Sequence, residues 1–161
     1  MGLRSQFLTA FLAAALSGTL APPAAAAACA PDRVDLRDEG GAARFTVEVA
    51  RTPVEQAQGL MNRESMATSR GMLFVYDTPR TTAFWMRNTL IPLDMIFVDE
   101  TGTVVKVHTA APLDETPVPS GQPVVAVLEI NGGLAETLGL GEGAELRSPL
   151  LPQEEAAWPC E

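Results

Sequence analysis

One histidine, His108, and two cysteines, Cys29 and Cys160, are all that this 161-residue chain holds of the usual nitrogen and sulfur metal ligands. A structural tetrahedral site takes four such ligands, so the chain cannot fill one by itself, and no metal is implied. Lysine is almost missing: ten of the eleven basic residues are Arg, against twenty acidic ones, for a formal net charge of −9. A chain this acidic does not track phosphate backbones, which makes nucleic acid a poor partner and an anionic membrane surface no better. No Gly-x-Ser-x-Gly elbow supports a nucleophile, although Ser120, His108 and Asp114 would supply the residue types of a triad. No phosphate loop or dinucleotide fingerprint occurs either. Gly132-Gly133 lacks the third glycine and the parallel-strand context, so no cofactor is implied.

Long apolar runs are absent after the first 28 residues. Before that point Arg4 precedes an apolar stretch from Phe7 to Leu20, and small residues follow from Ala24 to Ala28. That layout is a secretory signal with several A-x-A cleavage sites. Its apolar core is too short for a membrane span, which takes about 20 residues. Residues 1–28 therefore read as a signal peptide, and the remainder as an exported, periplasmic or extracellular protein without a transmembrane segment. Its length suits one domain with a real core.

Export carries Cys29 and Cys160 into an oxidising compartment. Two readings of Cys29 follow. A bridge to Cys160 would close nearly the whole mature chain and bring its two ends together. Lipid attachment is the rival, since Cys29 directly follows Ala26-Ala27-Ala28, but the larger aliphatic residue usual three places before such a cysteine is replaced by Ala26.

Period-two alternation marks Arg44 to Ala50 as a half-buried strand, with Asp32 to Arg37 as a shorter one. Thr52, Pro53 and Glu55 form a helix start with a capping box. Val54, Ala57, Leu60 and Met61 then make an apolar stripe, interrupted by Gly59, which would suit close packing by another backbone. Gly71 to Tyr76, Ala83 to Met86, Asp94 to Val98, Thr103 to His108, Val124 to Ile130 and Ala144 to Arg147 read as further strands. Residues 109–123 form a proline-rich loop. Asn131 is a candidate cap for a short helix through Leu138, stopped at Gly139. Trp158 and Cys160 would pin the tail to the body. Seven or eight short strands and two short helices, with no βαβ rhythm, predict a mainly β single domain of sandwich or barrel type.

Three stretches carry a resemblance. They are Gly59-Leu60-Met61-x-Arg63, Gly71-Met72-Leu73-Phe74-Val75-Tyr76, and the run Phe84-Trp85-Met86-Arg87-Asn88-Thr89-Leu90-Ile91-Pro92-Leu93-Asp94-Met95-Ile96-Phe97-Val98. Together with Val127-Leu128-Glu129-Ile130 and Leu138-Gly139-Leu140-x-x-Gly143, they resemble the domain of unknown function 192 family. The likeness spans roughly residues 43–148, leaving residues 29–42 as an N-terminal segment and 149–161 as a tail. It implies a compact β-sandwich-like fold, often exported in bacteria, and supplies no reaction or catalytic residues. Arg87 stands where many relatives are expected to have Lys.

The polar residues set within that apolar run are the candidate site. Arg63, Trp85, Arg87, Asn88 and Asp94 would converge at one rim of the sheet, the arginines offering forks for a carboxylate or sugar hydroxyls and Trp85 a flat wall. Pairing of Asp94 with Arg63 or Arg87 is expected. On this reading the protein is a non-catalytic binder of a small polar ligand or an envelope component. The competing readings are an envelope hydrolase using Asp94 with Glu129 or His108, and a structural or protein-partner module in which Asn88 and Asp94 only bond loop backbone. The methionines, Met72 and Met86 above all, read as core filler and not as copper ligands.

Overall fold

Residues 28–160 are described by a computed structural model. The signal-peptide reading falls almost wholly on residues 1–27, outside the described residues. The first hairpin is built from β1 (Arg33–Asp38) and β2 (Gly41–Ala50), with Val34 opposite Phe45 and Leu36 opposite Ala43. The segment before residue 43 is therefore part of the sheet. The remaining elements are α1 (Pro53–Gln58), β3 (Arg70–Arg80), β4 (Ala83–Phe84), β5 (Leu93–Val98), β6 (Val104–Ala110), β7 (Val118–Pro119), β8 (Val124–Asn131), α2 (Leu134–Thr137) and β9 (Glu145–Arg147).

Seven strands form one sheet in the order β6-β5-β8-β3-β2-β1-β9, and β4 with β7 makes a separate two-stranded ribbon. Within the large sheet every pair is antiparallel except β2 and β3, which run parallel with α1 as their crossover. The sheet curls until its two ends meet. Thr103 bridges Glu145, and the Val104 N–H donates to the Ala144 carbonyl at 2.8 Å. The mainly β, barrel-like expectation is met, and the βα crossover is a single unit with no repeat.

Both faces of the sheet are buried, which is why β3, β5 and β8 read as continuous apolar runs. One cluster holds Val34, Leu36, Phe45, Leu73, Ile96, Leu128 and Ile130, with Ala135 of α2 and Leu151 packed in. The other holds Met72, Phe74, Met95, Phe97 and Val127, covered by Leu60, Met86 and Val118. Each fully buried Leu, Ile, Phe or Met contributes about 1.5–3 kcal/mol. Met72, Met86 and Met95 are 7%, 1% and 0% exposed, so these methionines are core, as their apolar neighbours implied.

Two local expectations need correction. The apolar stripe proposed for α1 is buried only at Leu60, beyond the helix: α1 ends at Gln58, none of its own residues is buried and Val54 is 79% exposed. Gly59 is needed as its cap, at φ +48°, and a side chain there would meet the Phe74 ring, not another backbone. Nor does Asn131 cap α2. Gly133 holds the cap position, while the Asn131 amide donates to the Met66 carbonyl at 2.9 Å.

The two ends of the described segment meet. Cys29 and Cys160 form a disulfide with their Cα atoms 5.9 Å apart, which takes up the sulfur that a lipid would need. Trp158 lies beneath the guanidiniums of Arg37 and Arg147, each 4.3 Å from a ring centroid. Arg147 also reaches Asp35 at 2.8 Å, and Arg44 meets the same carboxylate at 2.6 Å. Burial alone would raise the Asp35 pKa, but these two guanidiniums outweigh it and hold the carboxyl below its ordinary value.

Candidate functional site

Register across the sheet places five polar and sulfur side chains in one row. Glu48 of β2 lies beside Met72 of β3, Met72 beside Glu129 of β8, Glu129 beside Met95 of β5, and Met95 beside His108 of β6. Residues in one row share a face. Glu48 is satisfied by a two-pronged pair with Arg63, both contacts at 2.6 Å, and this bond holds its carboxyl below the usual range. Glu129 has no such partner. It is only 4% exposed, and its carboxyl makes no hydrogen bond or ion pair with protein groups among the described residues, although its oxygens keep a little access to solvent, unlike Arg147 Nε, the fully buried side-chain nitrogen left without a partner there. Burial alone pushes its pKa up to about 8.

That carboxyl lines a cavity of about 240 Å³ between the sheet, α1 and the ribbon strand β4. Phe74, Tyr76, Phe84 and Trp85 supply its aromatic walls, and Gln56, Arg80, Thr82 and Thr89 its polar groups. Phe74 and Phe84 meet edge to face, with centroids 4.9 Å apart. Gly71 fixes the strand beneath: a Cβ there would come within 2.5 Å of the Glu129 carbonyl, so β3 can approach β8 only with glycine at that point. Among the lining residues Glu129 is the only acid and Arg80 the only permanent cation.

α1 forms one side of the cavity, although it buries no residue of its own. Its position comes from its cap and from Gln56. Thr52 accepts from the Glu55 N–H, while the Glu55 carboxylate accepts from the Thr52 and Arg51 N–H groups at 2.9 Å. The Gln56 amide donates to the carbonyls of Ala50, Arg51 and Val75, tying the helix to β2 and β3.

The five sequence candidates separate. Trp85 is 47% exposed at the cavity wall, and the Arg87 guanidinium stacks 4.4 Å from its ring centroid. Arg87 pairs with Glu115 at 2.9 Å and Arg63 with Glu48, so neither arginine meets Asp94. Asn88 takes a positive φ of 53° in the turn after Met86, and its carbonyl accepts from the Asn62 N–H at 2.7 Å. The proline-rich loop folds back on this turn: Leu113 N–H donates to the Thr89 carbonyl and Met86 N–H to that of Asp114. The expected strand through Met86 therefore stops at Phe84.

Asp94 is fully buried on the other face of the sheet. Its carboxylate accepts from Thr109 at 2.6 Å, from the Gly133 N–H at 2.9 Å and from the Ala135 N–H at 2.8 Å. It thus closes the start of α2, a task sequence reasoning had given to Asn131. Asp94 pairs in register with Ile130, one residue from Glu129, so the two acids point to opposite faces and cannot flank one substrate bond. His108 shares the face of Glu129, but the fully buried Met95 stands between them, and His108 lines a different hollow with Asp114 and Lys106. Sequence reasoning noticed Glu129 only as a partner for Asp94. The available signal was one acid in the apolar run Val124 to Ile130.

The profile of the DUF192 family, described as uncharacterised, matches residues 34–148. A protein of unknown function from Novosphingobium aromaticivorans DSM 12444 has a similar crystal structure. It is 46% identical with a TM-score of 0.69, over 71% of this chain and 82% of that one. A Sinorhizobium meliloti 1021 protein, provisionally described as a transcription regulator, is 40% identical with a TM-score of 0.69, over 74% and 94%. No curated protein matches the chain.

Proposed function

This chain belongs to the DUF192 family, for which no biochemical activity is described, and we propose that it is an exported binding protein whose aromatic-walled cavity takes a small polar ring-bearing ligand. The observation that carries this reading is the unpartnered Glu129 carboxyl at the cavity wall. Holding a carboxyl almost wholly buried with no protein partner costs free energy, and a leucine or methionine would fill the same place in the sheet without that cost. A ligand oxygen supplies the missing partner. Trp85 and Phe84 give flat apolar surfaces for a ring, and Thr82 is a polar residue at its edge.

Binding is favoured over hydrolysis because glycoside cleavage takes two carboxyl groups about 5–9.5 Å apart, and among the described residues Glu129 is the only acid lining the cavity. Arg87 then serves by stacking behind Trp85, Arg63 and Asn88 by holding the segments that border the site, and Asp94 by supporting α2. The disulfide and the N-terminal signal pattern support a place in an oxidising, exported compartment. Regulation of transcription is not carried over from the Sinorhizobium protein, since a net charge of −9 opposes binding to DNA.

The test is a thermal-shift screen of the mature protein against neutral sugars, sugar acids, amino sugars and cell-wall fragments. A ligand at about a hundred times its dissociation constant adds about 2.7 kcal/mol. The expected result is a hit that disappears in both Trp85→Ala and Glu129→Leu. A blank screen, with Glu129→Leu simply more stable, would make Glu129 a structural accident and end this reading.

A further inference from the structure

Arg80 is the second unusual group in the cavity. Its guanidinium lies 3.9 Å over the Tyr76 ring, and its one side-chain hydrogen bond among the described residues is a long 3.4 Å contact to Gln56 Oε1. No carboxylate lies within ion-pair distance of it among the described residues. A guanidinium stacked on an aromatic face is oriented but not consumed, because its N–H edges still point outward in its own plane. That edge is the geometry that receives a carboxylate through two parallel hydrogen bonds. The Gln56 amide nitrogen is committed to three backbone carbonyls, so its oxygen stays turned toward Arg80 and helps fix the fork.

We infer, building on the binding reading above, that the ligand is a hydroxylated ring acid, its carboxylate taken by Arg80 and a ring oxygen or hydroxyl by Glu129. The two ends are set by β3. Met72 sits in the row of Glu129, while Tyr76, on the same face and four residues on, carries Arg80. Four residues of strand separate the backbones of Met72 and Tyr76 by roughly 13 Å, so the two groups border the cavity at different points along β3. Phe74 lies midway, with Phe84 against it, as the apolar floor for the ring's C–H face.

Charge separates this ligand from the other class that aromatic walls and a buried carboxyl attract, an ammonium. With its pKa near 8, Glu129 is mostly neutral at pH 7 and acts as a hydrogen-bond donor, which leaves Arg80 as the net charge of the cavity. An ammonium meets repulsion there and a carboxylate meets attraction. The other titratable groups nearby do not alter this balance. Glu48 is neutralised by Arg63 beyond Met72, His108 lies beyond Met95, and Tyr76 is covered by Arg80.

Isothermal titration with D-glucuronate, D-glucose and D-glucosamine at pH 6.5 and pH 9 tests the inference. At pH 6.5, where glucosamine is an ammonium and Glu129 is protonated, glucuronate is expected to bind at least tenfold tighter than glucose, and glucosamine more weakly than either. Arg80→Gln, at an exposed position, should abolish the preference, so that glucuronate and glucose bind the variant alike. Glucuronate affinity should fall at pH 9 in the natural protein and stay level in Glu129→Gln, whose amide still donates. Glucose binding that depends on Trp85 but gains nothing from the carboxylate, or tighter binding of glucosamine, would overturn the ring-acid assignment and leave the binding reading standing. No binding of any of the three, with a blank in the wider screen, would overturn both.

Discussion

Glu129 and Asp94 are one register step apart in the sheet, yet their side chains meet opposite fates. Glu129 is buried without a partner, and its folded pKa near 8 stands well above the ordinary 4.5. An acid with a raised pKa keeps its proton in the folded state over a window where the unfolded chain has lost it. Stability therefore falls as pH rises from about 4.5 to about 8, by on the order of 3 kcal/mol at pH 7. Urea unfolding of Glu129→Gln should lack this slope and show the variant more stable than the natural protein at pH 8. Asp94 is the reverse case, a buried acid whose oxygens are all used. Asp94→Ala strands two backbone N–H groups and the Thr109 hydroxyl, a loss of about 3 kcal/mol, and equilibrium unfolding should report it with ligand binding otherwise unchanged. The sequence drew attention to Asp94 because it stands in a motif dense with polar residues, and passed over Glu129 because its apolar neighbours look like plain core. What separates them is the direction of a side chain across a pleated sheet, which depends on strand pairing and is not written in either local segment.

The elements that alternate or run continuously apolar were readable, because burial of one or two faces leaves a direct trace in the residue pattern. The hairpin of β1 and β2 and the buried strands β3, β5 and β8 all fall within a few residues of their expected places. Helices were harder. The start of α1 was legible because a capping box is a local chemical device, but its apolar stripe was not a buried face, since the chain turns away at Gly59 and Leu60 alone reaches the core. α2 is four residues long, and the carboxylate that closes its start comes from β5, far off in sequence. α1 buries no residue, so the cap is a main source of its order. Thr52→Ala should cost about 1 kcal/mol, and hydrogen exchange should show that cost concentrated in residues 53–58, with the strands as protected as before.

At the scale of the whole molecule the disulfide is the largest single constraint. It joins residues 131 apart in sequence, a loop whose closure is worth about 5 kcal/mol in the chain-entropy account. Replacing both Cys29 and Cys160 by Ala should lower the midpoint of thermal unfolding by about 15 °C, and adding reductant to the natural protein should come close to the same drop. The curl of the sheet and the single parallel pair were not visible in advance, because both arise from long-range pairings, Thr103 with Glu145 and Thr46 with Arg70. The bridge also has a topological meaning. With 5.9 Å between the Cα atoms of its two ends, the covalent path through the domain is already a ring, and the order in which its strands are synthesised is only one of several that would trace it. A short peptide joining those ends, with the chain opened instead at the exposed turn of Glu39 and Gly40, would give a circular permutant with the same sheet and the same cavity, made from a different first residue.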